Sequence, residues 1–346
     1  MVKYLLFLFL WAPCSLIAQS QDHYIIRTVA FYNVENLFDT INDPNTYDDD
    51  RTPNGKDQWT ADRYQRKIEN ISKVLSEIGA DITTTSPDII GLCEIENRQV
   101  LEDLIAHHYL SDKDYGIIQY DSPDERGIDV ALLYKKSAFI PANTSSRRLL
   151  LVNDDGERDY TRDQLVVQGF LDTEKIYLIV NHWPSRSGGE ARSRPNRIAA
   201  AQLNKQIIDS ILRTDNAAKI LTMGDFNDDP TDPSLKKILK TAGVRSSTTR
   251  EGLYNPMERL HKKGLGSLAY RDRWNLFDQI LFTPILQNGT KNTYQYWKAG
   301  IYNPPYLSTQ TGAYKGYPFR TYSGGNYTAG YSDHFPVYLY LIKMAE

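Results

Sequence analysis

Lys219-Ile220-Leu221-Thr222-Met223-Gly224-Asp225-Phe226-Asn227-Asp228 sets the pattern from which the rest of the chain is read. An apolar run of strand length ends at a glycine turn. A carboxylate follows at once and, two residues on, an amide. In extended backbone, side chains at i and i+2 leave on the same side. Asp225 and Asn227 are therefore expected to converge on one reacting group, Asp225 as base or ligand and Asn227 as a neutral hydrogen-bonding partner. The same residues also suit an ordinary Asx-rich turn, so the segment has to be weighed with others like it.

Seven further runs of strand length lie at residues 25–32, 88–93, 129–134, 164–171, 175–180, 278–282 and 336–342, several of them rich in Val, Ile and Tyr. Three amphipathic helices fit between them. The first begins after a potential cap at Thr60 and presents Ile68, Ile71, Leu75 and Ile78 on one face. The second spans about 98–107. The third spans about 197–212, with Leu203, Ile207 and Ile211 inward. Strands outnumber helices and most suit antiparallel pairing. The expected fold class is α/β (α+β), a two-sheet sandwich flanked by helices, in preference to an alternating parallel fold. A polar, Asp/Asn-rich insertion covers 40–58, and a Tyr/Gly/Pro-rich stretch of low regularity covers 285–331. Loops of that length inside a compact domain usually serve function.

The chain's 346 residues, 41% hydrophobic and 24% charged, allow one large domain or two smaller ones. No linker divides residues 21–346, which are read as one domain. Lys3, the apolar run 4–11, Pro13 and the small residues around Ala18-Gln19-Ser20 read as a signal peptide over residues 1–20. The run is short for a membrane span, and Pro13 beside Cys14 is a poor lead-in to lipidation. The expected product is secreted or periplasmic, with no membrane span left after processing. Removing residues 1–20 takes away one cation and no acid, leaving the chain slightly more acidic than its net −3. Tight, sequence-specific duplex binding is therefore disfavoured, while transient contact with nucleic acid stays open. Cys93 then stands alone, so no internal disulfide forms, and its place at the end of an apolar strand suggests a buried, inert thiol. No stable protein partner is implied, and a monomer is expected.

Other strand ends carry similar chemistry. Tyr331-Ser332-Asp333-His334-Phe335-Pro336 precedes the last strand. Asp333 suits a hard cation such as Mg²⁺, Mn²⁺ or Ca²⁺, and His334 suits acid–base work or a phosphoryl oxygen. Val180-Asn181-His182-Trp183-Pro184 ends another strand with one of only six histidines. After it come Arg186, Arg192, Arg194 and Arg197, placed to meet phosphate at the third helix's N-terminus, although each also suits a solvated face. Ile90-Gly91-Leu92-Cys93-Glu94-Ile95-Glu96-Asn97 sets Glu94 after a buried run, where a carboxylate needs a cation or a hydrogen-bond network. Asn33 leaves the first strand in the same manner. Asp278 heads a strand and is suited to orient and polarise a histidine.

The order Asn33, Glu94, His182, Asp225-x-Asn227, Asp278, Asp333-His334 resembles the endonuclease/exonuclease/phosphatase superfamily, with its deoxyribonuclease-I-like fold, from about Val29 to the C-terminus. Phe31-Tyr32-Asn33-Val34-Glu35-Asn36-Leu37-Phe38 and Asn181-His182-Trp183 resemble the predicted extracellular nucleases within it. The resemblance implies a four-layered α/β sandwich of two packed mixed sheets and a divalent metal, Mg²⁺ or else Mn²⁺ or Ca²⁺. It implies that Glu94 binds the metal, supported by Asn33 and Asp333. Asp225 and Asn227 would position or activate water. His334 would contact the scissile phosphate and pair with Asp278, and His182 would stabilise charge or protonate the leaving group. Where some members carry Tyr or Glu, this chain has Arg126-Gly127-Ile128-Asp129. Arg126 is then expected to neutralise phosphate and Asp129 to polarise His182, with Arg186 a further phosphate contact. The leading expectation is an endonuclease acting on DNA or RNA. A phosphatase or phosphodiesterase acting on a lipid head group, inositol phosphate or sugar phosphate is the alternative, and a non-catalytic binding protein a minor one. The tyrosines of 285–331 would either stack bases or pack their own loop.

Overall fold

The computed structural model describes residues 23–153 and 155–345; the expected signal peptide lies outside the described residues. In chain order the long strands are β1 (Tyr24–Leu37), β2 (Ile89–Ile95), β3 (Tyr115–Gln119), β4 (Asp129–Lys135), β5 (Phe139–Arg147), β6 (Gln164–Leu171), β7 (Glu174–His182), β8 (Ile220–Asp225), β9 (Asp278–Phe282), β10 (Gln295–Ile301) and β11 (Val337–Met344). The long helices are α1 (Ala61–Glu77), α2 (Arg98–Ala106) and α3 (Glu190–Thr214). One sheet runs β10-β11-β1-β2-β4-β3 and the other β9-β8-β7-β6-β5. Each is mixed, with a single parallel pair inside it: β1 with β2, and β7 with β8.

Alternation along these strands explains the layers. Val29, Phe31, Ile89, Leu178, Val180, Leu221, Met223 and Ile280 face between the sheets. Ala30, Tyr32, Ile90 and Leu92 face outward onto Ile68, Ile71 and Leu75 of α1 and Val100, Leu101 and Leu104 of α2. Ile179 and Ile220 face outward onto Ala200, Ala201, Ile207 and Ile208 of α3. The order helix, sheet, sheet, helix is the four-layered sandwich that was expected. Strands covered on both faces read as unbroken apolar runs, and each fully buried aliphatic side chain contributes roughly 1.5–3 kcal/mol. At Gly224, paired with Asn181 in the parallel ladder, a Cβ would stand 2.4 Å from the Asn181 carbonyl oxygen, so no larger residue fits.

The structure departs from the sequence expectation where elements are edges or polar. β5 and β10 are sheet edges with largely polar or half-buried sequences. α3 starts at Glu190 rather than near 197, through a polar segment containing Pro195 that shows no apolar period. Thr60 occupies the N-cap position of α1, but its side chain makes no capping hydrogen bond. Tyr302, Tyr306 and Tyr322 pack on the outer core with α1, so that part of the Tyr-rich stretch is a packed loop. Among the described residues no helix is long and apolar enough to cross a membrane.

Candidate active site

The stripe that faces between the sheets turns polar at one end of the sandwich. Val29-x-Phe31 continues to Asn33, Leu178-x-Val180 to His182, and Leu221-x-Met223 to Asp225, while Phe282 and Ile280 lead back to Asp278. Asp225 pairs in register with His182 on one side and with Asp278 on the other, so three site residues share one ladder. Non-glycine residues with left-handed backbone gather at these strand exits: Glu35 (φ 51°), Asn36 (φ 54°), Glu94 (φ 63°) and Asn227 (φ 49°). Register shifts at Asn33/Leu37 and Cys93/Ile95 accompany them. Such bulges re-aim side chains and tend to sit beside active sites.

His334 Nδ1 lies 2.6 Å from Asp278 Oδ2, and its Nε2 lies 3.9 Å from Asp225 Oδ2. His182 Nε2 is 3.8 Å from both Glu94 Oε1 and Asp225 Oδ2. The Asn33 amide donates to Glu94 Oε1 (3.3 Å) and to Asp225 Oδ2 (3.1 Å), and its oxygen accepts the Glu35 N–H at 3.0 Å. Two carboxylates on one side and a backbone donor on the other fix which end of the amide faces the centre. Asn33 thus presents its amide N–H, not its oxygen, to the two carboxylates. Its part is to align Glu94 and Asp225.

Asn227 reaches the centre by a different route from the one expected. Its backbone is left-handed, not extended. Asp225 Oδ1 accepts the Asn227 N–H at 2.9 Å, and the Asn227 amide donates to the Trp183 carbonyl at 3.0 Å. The Asx turn and the functional pair are therefore one object. Arg186 is spent on holding this turn: Nε donates to the Asn227 carbonyl at 2.8 Å, and Nη2 to Asp232 at 2.7 Å and Asp228 at 3.2 Å. Arg197 is fully buried with Nε 2.6 Å from Asp228, and Arg194 pairs with Glu190. These three guanidiniums face protein carboxylates rather than an open phosphate position. Asp129 accepts from Ser122 and Gln119, while His182 Nδ1 has no partner, so Asp129 does not polarise His182. Arg126 is half-exposed beside Asp124.

Three residues of the site carried no role in the sequence reading. Buried Glu35 accepts from Thr321 N–H at 2.6 Å and from Arg320 Nε at 3.2 Å. Arg320 also donates to Asp333 Oδ2 at 3.0 Å. Buried Lys67 donates to Thr321 and to the Tyr331 carbonyl, 3.9 Å from Glu35. The one visible signal was Lys67, a cation inside the apolar stripe of α1.

The electrostatics divide the histidines. Burial alone would lower the His334 pKa; the Asp278 carboxylate and its hydrogen bond, with Asp225 and Asp333, outweigh that and hold it well above the ordinary range. His182 goes the other way: burial, Arg162, Arg126 and His334 all lower it, so it is neutral. Burial raises the Asp225 pKa, with Asp278 adding to the effect, and burial followed by Asp333 raises Glu35. Lys67 is pushed down to about 8 by burial.

Asp225, Asp278 and His334 each bring one ligand atom within 4.8 Å of the others. Within it His334 Nδ1 is engaged with Asp278 Oδ2, so the trio serves better as a dyad with a neighbouring carboxylate. A cation fits the wider acidic centre around it. Glu35, Glu94, Asp225, Asp278 and Asp333 gather here against Lys67, Arg320 and His334. The five carboxylates outnumber these three cations by two, and their hard oxygens suit a divalent ion.

Two mixed sheets flanked by helices, with a carboxylate–histidine centre where parallel strands end, define a phosphoesterase of the deoxyribonuclease-I-like class. The chain belongs to the Endonuclease/Exonuclease/phosphatase family, whose sequence profile matches residues 28–343. Its fold is similar to an endonuclease/exonuclease/phosphatase family protein from Bacteroides thetaiotaomicron (TM-score 0.55, 19% identity, covering 93% of this chain and 97% of that one). It is also similar to a mannosyl-6-phosphatase of the same species (0.53, 17%, 91% and 99%) and to the human Nocturnin catalytic domain with bound sulfate (0.51, 15%, 94% and 98%). No curated protein matches the sequence.

Proposed function

We propose that this protein is an exported, monomeric endonuclease that hydrolyses phosphodiester bonds of DNA or RNA with a bound Mg²⁺, or Mn²⁺ or Ca²⁺ in its place. The hydrolytic part rests on one observation: His182, Asp225 and Asp278 share a ladder, and Asp278 holds His334. Asp225, made more basic by burial, takes the proton of the attacking water as the new P–O bond forms, and the ester P–O bond in line with it breaks, its departing oxygen taking up a proton from solvent. The His334 imidazolium donates from Nε2 to a phosphoryl oxygen. Neutral His182 stabilises the same charge, and the Asn227 turn fixes Asp225. Glu94 and Asp333 would hold the cation, Asn33 orienting the first and Arg320 the second. The ion supplies neutralisation of charge developing on oxygen. No covalent enzyme intermediate is needed.

Nucleic acid is favoured by what borders His334. Trp274 stacks on Phe335, ring centroids 6.0 Å apart and planes at 13°. It stands on a hairpin with Tyr270, Arg271 and Arg273, all exposed. Exposed rings beside cations suit bases and their phosphates.

The test offers the processed protein plasmid DNA, RNA, sphingomyelin, inositol phosphates and mannose 6-phosphate with each cation, with and without EDTA. Cleavage of nucleic acid that EDTA stops is the expected result. Turnover of a lipid, inositol or sugar phosphate instead would move the substrate, and undiminished turnover in EDTA would remove the metal.

A further inference from the structure

Directly after His182, the chain enters the wall of a cavity of about 610 Å³. Arg126, Thr161, Arg162, Pro184 and Ser185 line it. Arg162 is only 7% exposed. Its Nη1 donates to Asp124 Oδ2 at 2.9 Å, and its Nη2 to the Trp183 carbonyl at 2.8 Å. Its Nε–H has no acceptor. The adjacent Thr161 hydroxyl, 4% exposed, also has no partner. A buried donor left unpaired costs about 1–3 kcal/mol, so native folds hold few of them. Two on neighbouring residues in one cavity wall point to a ligand that accepts hydrogen bonds.

The kind of acceptor follows from the same wall. Asp124 serves two guanidiniums, Arg162 at 2.9 Å and Arg126 Nε at 3.6 Å. The wall as a whole balances, Asp124, Glu125 and Asp159 against Arg126, Arg162 and Arg192. Arg162 reaches the strand exit of the catalytic centre, its Nη2 on the carbonyl of Trp183, the residue after His182, and Arg162 and Arg126 both act on His182 through their charge. Fixed guanidiniums with hydroxyl support are a phosphate-binding chemistry.

The geometry points to a second phosphate subsite here, formed by Arg162, Thr161 and Arg126, which takes the phosphoryl group next along the substrate from the one being cleaved. This rests on the phosphoesterase reading and narrows it to substrates carrying at least two phosphates. A polynucleotide supplies the second phosphate on the next sugar, and a bisphosphorylated ring supplies it on the next carbon.

The test compares kcat/KM within matched pairs. One pair is thymidylyl-thymidine with and without a terminal phosphate. The other is inositol monophosphate against bisphosphate. Bis(p-nitrophenyl) phosphate, with one phosphate, reports on the centre itself. The added phosphate is expected to raise kcat/KM about tenfold or more in at least one pair, the size of one charge-assisted hydrogen bond. Arg126→Ala and Thr161→Val, which leave the buried Arg162–Asp124 pair in place, should each shrink that gain at least threefold. A gain confined to the nucleotide pair names a polynucleotide, and one confined to inositol names a phosphorylated ring. No gain in the wild-type protein, or an equal gain in both variants, overturns the subsite while leaving the phosphoesterase reading intact. If none of these substrates is cleaved, that reading fails instead, and calorimetric titration with pyrophosphate decides the subsite. Weaker binding in both variants supports it; equal or absent binding overturns it.

Discussion

Replacing Asp278 with asparagine changes one charge and almost no volume. The carboxylate is fully buried, with Oδ2 2.6 Å from His334 Nδ1. Charge centres about 4 Å apart interact by about 4 kcal/mol at an effective dielectric of about 20. Without it, burial, the largest single influence on His334, is opposed only by Asp225 and Asp333, so the ring in Asp278→Asn holds its proton far less firmly. If the reaction uses the imidazolium, kcat should fall by about 10³. The variant's rate should recover as pH drops through the lowered pKa, a window in which the wild-type protein already holds its proton. Stability follows the same linkage. A histidine raised on folding contributes fully below its unfolded pKa, and the contribution is lost as pH rises through the folded one; the variant should lose that dependence. The assay is kcat for bis(p-nitrophenyl) phosphate from pH 5 to 10 at saturating Mg²⁺, with urea midpoints at each pH. A variant within fivefold of wild type at pH 7.5, with an unchanged profile, would refute the assignment of His334's charge to Asp278.

Arg197→Ala strands buried Asp228, which keeps Ser234 and a weaker contact to Arg186; a loss of about 3 kcal/mol is expected. Arg194→Ala breaks only an exposed pair with Glu190 and should leave the urea midpoint almost unmoved, so the two midpoints separate structural from solvated arginines. Gly224→Ala forces a methyl to 2.4 Å from the Asn181 carbonyl, so the parallel pair must spread and the soluble yield should collapse, as read by expression and circular dichroism. Glu94→Gln should cut turnover by about 10²–10³ and weaken Mn²⁺ binding in calorimetry; unchanged Mn²⁺ affinity would exclude Glu94 as a ligand. Glu96 is pushed up to about 8 by burial and by Asp39, Asp48 and Asp43, against the Asp39 N–H. A carboxylate raised on folding loses stability as pH climbs from its ordinary value of 4.5 up to the raised one, so Glu96→Gln should stabilise the protein at pH 9 by on the order of 2 kcal/mol after allowance for solvent screening, and have little effect at pH 4.

How much was legible in the sequence depended on burial. β6 and β9 begin and end where their apolar runs do: β6 lies inside the second sheet, and β9, although at its edge, is buried along its whole length. β5 and β10 stayed hidden because a sheet edge lets polar residues face water. The acids and histidines of the site were readable because a polar residue that continues an inward-facing apolar stripe needs a reason. What sequence could not supply was direction and pairing. It could not show which end of the Asn33 amide faces the centre, or that Arg186 and Arg197 are met by Asp228. Nor could it show that Glu35 is met by Arg320 from a segment without any periodic signal.

The pairing of β1 with β11, Tyr24 opposite Met344 and Phe31 opposite Val337, has a consequence for the order of events in synthesis. Asn33 leaves the ribosome early and His334 very late, yet they sit in neighbouring strands' exits, with the Ser332 hydroxyl on the Asn33 carbonyl at 2.7 Å. A nascent chain that stops before residue 332 holds Glu94, His182 and Asp225 but has no proton donor opposite them. Phosphoester chemistry that draws on His334 can therefore begin only once the last strand closes, and a copy that ends before residue 332 lacks it.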